Sequence, residues 1–314
     1  DIAALETQQV SSVSVKSTIV AGDQSGNLDG YQKAFQAYAN RGLPTYALLD
    51  SQFDSSAPGA VTAPLTTQNG QSNPYIDHYA AQAQSFASSL QSSGLKNYFT
   101  WNEPNDNSSV GNYIPIVPIG GVHYVDQFAA LLYQAYTKIK QVNGGGTVYM
   151  GGILWPYAPA LGCDATCATG KATDYLAATY NSLQKLQIPI IPWDAINVHV
   201  HHCGWADGDI KGLVDGIAAV RLNSGLTDHT PIVVGEWGLT HGDAQDPSCM
   251  GNNFTILNKY FSEMYYFQHP NLGVPGDCST AGDWGLTTWD FGSGPSGYKG
   301  FILGQGGHLS LIHI

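Results

Sequence analysis

The chain has 314 residues, enough for one large domain or two small ones, and 43% of them are hydrophobic, so a sizeable core can form. A net charge of −12 with only 12 Lys and Arg leaves no basic face for nucleic acid, and no run of about eighteen apolar residues could span a membrane. Only 11% of the residues are charged, so uncharged polar residues must supply most of the surface, which favours a secreted protein.

Short runs rich in β-branched and aromatic residues alternate with stretches of helical periodicity along the chain. The predicted strands are 12–20, 44–50, 97–103, 147–154, 195–201, 231–237 and 285–291. The predicted helices lie near 28–41, 76–94, 124–141, 172–187, 208–223 and 254–268. Strict alternation indicates a parallel sheet with crossover helices, either a barrel or an open doubly wound sheet.

The count of seven strands is one short of a closed eight-stranded barrel. Residues 1–9 resemble the end of a helix whose preceding strand is absent, and 292–307 show no eighth helix. We therefore predict a single barrel domain over 1–308 that is truncated at both ends, without its first strand and its last helix. The final LSLIHI back-translates to a common sequencing adapter, so 309–314 are predicted to be a non-native tail; a natural apolar tail is the alternative.

Two glutamates end predicted strands, Glu103 in YFTWNE and Glu236 in PIVVGE. Active sites of barrels lie at the carboxyl ends of the strands, and a carboxylate on a hydrophobic background is costly unless it has a task or a partner. Alternation along each strand predicts two shared faces. They are Phe99, Trp101 and Glu103 in one strand, and Ile232, Val234 and Glu236 in the other.

Two carboxylates that face each other across the open end of a barrel suit the hydrolysis of a glycosidic bond. One gives a proton to the leaving oxygen and the other attacks the sugar carbon. A separation of about 5 Å leads to retention of configuration, and about 6.5–9.5 Å leaves room for a water and leads to inversion. Asn102 precedes the proposed acid and could donate a hydrogen bond to a neighbouring sugar hydroxyl.

The motifs WNEPN at 101–105 and VVGEWG at 233–238 resemble those of clan A glycoside hydrolases, retaining (β/α)8-barrel enzymes that include cellulases, mannanases and xylosidases. The resemblance implies an α/β fold of the (β/α)8 TIM-barrel type. It also implies that Asn102 and Glu103 form the acid/base pair at the end of strand four, and that Glu236 is the nucleophile at the end of strand seven.

Other site residues are predicted from the same resemblance. Asn197, His199 and His201 share a face of INVHVH, and a strand-six His of the clan touches the nucleophile or the substrate, so His199 or His201 could hold Glu236 ionised. Tryptophans offer flat apolar faces to sugars. Those predicted to line the cleft are Trp289, as the floor of the reacting-sugar subsite, and Trp237, Trp155 and Trp205, in outer subsites.

Five cysteines occur, and two sequons begin at Asn107 and Asn253. We predict disulfides 163–167 and 249–278 with Cys203 left over, and five free thiols are the alternative. We expect a secreted monomer whose partner is a carbohydrate, with no nucleic acid and no membrane.

The leading function is therefore a retaining β-glycosidase that uses no cofactor and no metal. Two alternatives stay open. One is a carbohydrate-binding barrel without catalysis, and the other is a metal-dependent hydrolase that uses the histidines at 199–202.

Overall fold

The structure is a computed structural model that describes part of the chain. The described residues are 13–15, 28–42, 44–51, 53, 57–65, 73–106, 114, 124–155, 172–201, 209–238, 284–286, 302–303 and 309–310.

The described residues form ten strands and six α-helices. The strands are β1 (Val13–Val15), β2 (Thr45–Leu49), β3 (Asn97–Thr100), β4 (Thr147–Tyr149), β5 (Ile153–Trp155), β6 (Ile196–His201), β7 (Ile232–Gly238), β8 (Trp284–Leu286), β9 (Ile302–Leu303) and β10 (Leu309–Ser310). The helices are α1 (Leu28–Ala39), α2 (Ala57–Thr62), α3 (Pro74–Leu90), α4 (Tyr124–Val142), α5 (Ala172–Lys185) and α6 (Asp209–Ser224), with a 3-10 turn at Gln91–Ser93.

Eight strands pair in parallel, in two sheets ordered β1-β2-β3-β4 and β5-β6-β7-β8. Two isolated parallel bridges, Asn102 to Gly152 and Tyr149 to Ala195, join the sheets. The predicted strand 147–154 is thus interrupted between β4 and β5. Gly151 lies at this break, where a Cβ would stand 2.6 Å from the carbonyl oxygen of Thr100. The predicted strand–helix alternation with a parallel sheet is confirmed over the described residues.

Several predictions fall outside the described residues or stay untested. The predicted helix at 254–268 and all five cysteines lie outside the described ranges. Truncation at both ends stays a prediction. In the tail, Leu309 and Ser310 pair antiparallel with β9, which does not decide whether 309–314 are native.

The two faces of the sheet carry different cores. On the inner face, strand residues alone pack together, and we call this the inner cluster: Tyr46, Leu48, Phe99, Tyr149, Ala195 and Val233. Its rings pack closely, with the centroids of Phe99 and Tyr149 4.7 Å apart and their planes tilted by 41°. On the outer face, strand residues such as Ala47 and Val198 pack against the helices in a much larger cluster.

Helix α3 begins at a capped N-terminus. Asn73 caps α3 by accepting hydrogen bonds from Tyr75 N at 2.9 Å and Ile76 N at 2.8 Å, and Pro74 occupies the first turn, where its missing N–H costs nothing.

Among the described helices, none is long and apolar enough to cross a bilayer.

Candidate active site

The chain makes a strained turn where β3 ends. Trp101 has φ 69° and Glu103 has φ 42°, values that non-glycine residues rarely adopt and that cluster at functional sites. The turn is held because Trp101 N donates to Leu49 O at 2.8 Å and the indole packs on Tyr79 of α3, with centroids 6.0 Å apart. Two outliers in three residues indicate that the surrounding structure imposes the position of Glu103.

This turn corrects one expectation from the sequence. Phe99 belongs to the inner cluster, whereas Trp101 packs on the outer side among residues of the helices. The predicted common face of Phe99, Trp101 and Glu103 is therefore wrong. The period-two alternation ends at Thr100 because the positive φ of Trp101 turns its side chain toward the helices.

Asn105 ties the segment after Glu103 to the next strand. Its Oδ1 accepts from Leu154 N at 2.8 Å and its Nδ2 donates to Leu154 O at 3.0 Å, so the carboxamide pairs with β5 as a neighbouring peptide group would. Asp106 N also donates to Glu103 O at 3.0 Å. Asn105 is 2% exposed. This role of Asn105 is not predicted from the sequence, where the signal was an Asn in the turn directly after a strand end.

The carboxylate of Glu103 contacts His199. Oε1 of Glu103 lies 3.0 Å from Nδ1 of His199, and the two side chains are 15% and 2% exposed. The imidazole lies against the backbone of Gly152, where a Cβ would stand 1.9 Å from Nε2. The described contact of His199 is with Glu103. The prediction that His199 or His201 holds Glu236 ionised stays a prediction, because the side chains of Glu236 and His201 lie outside the described part.

Strands β6 and β7 bring the backbone of Glu236 beside the same histidine. His199 and Glu236 are in register, and the register shifts between Val198 and His199, leaving Gly235 as an additional residue in β7. The side chain of Asn197 occupies the space over this bulge, since a Cβ on Gly235 would stand 2.2 Å from its Oδ1. Glu103 thus lies beside the ring of His199 and the backbone of Glu236 lies beside the backbone of the same residue. The two glutamates are 133 residues apart in the chain.

The bulge affects the predicted face of Ile232, Val234 and Glu236. An additional residue at Gly235 interrupts simple alternation, and the side chains of Val234 and Glu236 lie outside the described part. Five other predicted positions also have undescribed side chains. They are His201, Trp237 and Trp155, whose backbones lie in β6, β7 and β5, and Trp205 and Trp289, which lie outside the described ranges altogether.

Two buried carboxamides complete the described site. Nδ2 of Asn197 lies 3.3 Å from Nε2 of His199, which agrees with the predicted shared face of these two residues. Asn102 is 7% exposed and bridges to Gly152. Its Oδ1 and that of Asn197 have no hydrogen-bond partner among the described residues. An unpaired buried amide oxygen is costly, so Asn102 offers an unused acceptor next to Glu103.

No group of three or more His, Cys, Asp or Glu is placed to hold a metal in the part of the chain that the structure describes. His202 and the side chain of His201 are outside that part. The expectation of no metal therefore stays a prediction.

No protein-family model and no curated protein matches the sequence. Solved structures do match its fold. The β-glucosidase from Thermotoga maritima in complex with deoxynojirimycin is 13% identical, with 92% of this chain and 75% of that chain covered and a TM-score of 0.58. Endo-glycoceramidase II from Rhodococcus sp., in its cellobiose-like imidazole complex, is 16% identical, with 94% and 68% covered and a TM-score of 0.50. The chain therefore has the α/β fold of these glycosidases, and the resemblance to clan A glycoside hydrolases is confirmed at the level of the fold.

Proposed function

We propose that this chain is a clan A retaining O-glycoside hydrolase that cleaves β-linked polysaccharide or oligosaccharide by double displacement. In this proposal Glu103 is the acid/base and Glu236 is the nucleophile. The observation that carries it is the 3.0 Å contact between the carboxylate of Glu103 and the ring of His199, the residue in register with Glu236.

A retaining mechanism is part of the proposal. Neighbouring strands lie about 4.8 Å apart, so one strand spacing and one imidazole ring separate the backbone of Glu236 from the carboxylate of Glu103. Carboxylates about 5–5.5 Å apart are what a covalent glycosyl-enzyme mechanism needs, because no water has to fit between the nucleophile and the sugar.

The first displacement forms a bond between a carboxylate oxygen of Glu236 and the anomeric carbon. The bond from that carbon to the leaving oxygen breaks, and the leaving oxygen takes the proton of Glu103. In the second displacement Glu103, now ionised, accepts a proton from water as the water oxygen attacks the anomeric carbon. The ester to Glu236 breaks, its carboxylate is released, and two inversions give net retention.

The polar residues beside Glu103 have supporting roles in this scheme. Asn102, with its Oδ1 unpaired among the described residues, can accept from a sugar hydroxyl, while its amide nitrogen can donate to one. A donor at Nδ1 of His199 stabilises the carboxylate of Glu103 in the second step, since hydrogen bonds to charged groups are worth roughly 1.5–3 kcal/mol. His201, Trp237 and Trp289 are proposed to contact the sugar.

The fold also agrees with this proposal. Solved structures of a β-glucosidase and an endo-glycoceramidase share it. At 13–16% sequence identity, the similarity to these structures concerns the fold alone. A secreted, monomeric protein without a cofactor stays part of the proposal, because a surface built mostly from uncharged polar residues and a polysaccharide substrate suit an extracellular enzyme.

A panel of β-linked oligosaccharides of glucose, mannose and xylose, with product anomers followed by NMR at early times, tests the function. The proposal expects at least one substrate whose first product is the β-anomer. A first product of α configuration would exclude the retaining mechanism.

Variants separate an enzyme from the alternative, a carbohydrate-binding barrel without catalysis. Glu103→Gln and Glu236→Ala should abolish turnover while sugar binding, measured by calorimetry, persists. Sugar binding by the unaltered protein without any turnover across the panel would favour the binding barrel.

A further inference from the structure

A buried carboxamide stands behind the histidine that contacts Glu103. As whole residues, Asn197 and His199 are each 1% exposed, and Nδ2 of Asn197 lies 3.3 Å from Nε2 of His199. On the other side of the ring, Nδ1 lies 3.0 Å from Oε1 of Glu103. Asn197, His199 and Glu103 therefore form a continuous chain of polar contacts that runs from the interior of the sheet to the proposed acid.

The two contacts specify where the histidine carries its proton. The nitrogen of a carboxamide only donates, so Nε2 must accept from Asn197. A neutral imidazole with an accepting Nε2 carries its hydrogen on Nδ1. That hydrogen points at Glu103, which accepts it on Oε1.

We propose that Asn197 is a positioning residue that holds His199 in the Nδ1–H tautomer, and thereby directs the catalytic proton of Glu103 to Oε2. The consequence for catalysis rests on the proposed function. Because Oε1 accepts from Nδ1 in both protonation states of Glu103, the proton given to the leaving oxygen, and later taken from water, travels on Oε2. With the other tautomer, Nδ1 would be an acceptor that competes with the substrate for that proton.

The backbone makes room for this arrangement at two glycines. A Cβ on Gly152 would stand 1.9 Å from Nε2 of His199, and a Cβ on Gly235 would stand 2.2 Å from Oδ1 of Asn197. Gly235 is also the additional residue of the bulge that brings Glu236 into register with His199. The same irregularity thus accommodates the carboxamide and places the strand of the proposed nucleophile.

Among the described residues, the elements around His199 carry few other titratable positions. Glu103 follows β3, Glu236 lies on the adjacent strand β7, and His201 lies on its own strand. The remaining neighbour, β5, reads Ile-Leu-Trp and has none. Within the described part, the ring of His199 thus has Asn197 on one side and Glu103 on the other.

The tautomer can be observed directly by 15N NMR of the histidine side chains of the whole protein, with His199 assigned by comparison with His199→Asn. We expect a protonated Nδ1 and an unprotonated Nε2. In Asn197→Asp the donor becomes an acceptor, so Nε2 should gain a proton. An Nε2–H tautomer in the unaltered protein would overturn the inference, whether or not the protein cleaves glycosides.

Kinetics provide a second test that a merely structural role would not pass. Asn197→Asp should lower kcat about ten- to hundredfold on natural glycosides, whose leaving oxygen needs a proton, and by less than about threefold on aryl glycosides with acidic leaving groups. The matched control is Asn143→Asp, another carboxamide, which contacts Tyr98 and Leu95 away from the site. It should show no such dependence on the leaving group. Equal losses on both substrate types in Asn197→Asp would contradict the proposal.

Discussion

Gly152 lies directly against the imidazole of His199, so closely that a Cβ on the glycine would stand 1.9 Å from Nε2. No real Cβ contact is that short, and the ring is held between this glycine and the carboxylate of Glu103. The position of the proposed acid/base therefore depends on a residue without a side chain, directly before β5.

Gly152→Ala should displace His199 and lower activity at least tenfold, with a loss of stability of about 1–3 kcal/mol typical of overpacking. Activity assays and urea unfolding measure the two effects. The matched control is Gly30→Ala in α1, where a Cβ would meet nothing within 4 Å; it should keep full activity and equal or slightly higher stability, since Ala favours helix. Wild-type activity in Gly152→Ala would show that activity does not depend on the observed position of the His199 imidazole.

Another hydrogen-bond donor should partly replace the function of His199. His199→Ala removes the donor to Glu103, and a lost hydrogen bond to a charged group predicts a decrease in kcat of about ten- to hundredfold. His199→Asn puts a carboxamide nitrogen near the position of Nδ1, so it should retain more activity than His199→Ala. Steady-state kinetics on one substrate decide this, and an Asn variant as impaired as the Ala variant would argue against a donor at that position.

Asn105 should contribute mainly to stability. Asn105→Ala leaves the partly buried N–H and C=O of Leu154 without this partner, at a cost of up to about 1–3 kcal/mol for each group. Asn105→Asp keeps the acceptor and loses only the donor, so its loss should be smaller. The midpoint of urea unfolding should fall in both variants, in that order, with an unchanged slope; equal midpoints for Asn105→Ala and the unaltered protein would refute the role.

Buried tyrosines predict alkaline sensitivity. Burial raises the pKa of Tyr98 from 10.0 to about 12, and burial together with the negative Asp194 raises the pKa of Tyr136 to about 12. Above pH 10 the unfolded chain releases these protons while the folded chain keeps them, so unfolding becomes easier as pH rises. The stabilisation is complete below pH 10 and is lost toward pH 12.

Thermal unfolding at intervals between pH 9 and pH 12 checks this expectation, because Tm should fall steadily above pH 10. Tyr98→Phe lowers Tm at all pH values by losing its contacts with Asn143 and Leu95, but its Tm should fall less steeply across this interval. A Tm that stays constant across the interval would contradict the raised pKa values of Tyr98 and Tyr136.

The sequence predicts the alternation of strands and helices well, because periodicity reports burial directly. Its prediction that Glu103 and Glu236 end strands holds only approximately, because β3 ends at Thr100, before Glu103, and β7 continues past Glu236 to Gly238. It does not predict the turn at Trp101, since the positive φ there is stabilised by tertiary contacts with Leu49 and Tyr79 that no local pattern encodes. It could have indicated the bulge, because a lone glycine within a strand pattern such as PIVVGEW often marks one.

The partners of the site residues are also tertiary. Whether His199 contacts Glu103 or Glu236 depends on the register of β6 with β7 and on its proximity to β5, and strand register cannot be derived from one strand at a time. Asn105 likewise acquires its role only when β5 lies beside it.

The most direct test of the two glutamate roles is chemical rescue with azide, followed by NMR of the glycosyl azide that forms from an activated β-glycoside. In Glu236→Ala, azide replaces the nucleophile and attacks the sugar once, so the product should be the α-glycosyl azide. In Glu103→Ala the covalent intermediate still forms and azide attacks it, so the product should be the β-glycosyl azide. The same anomer from both variants, or the reverse assignment, would contradict the account.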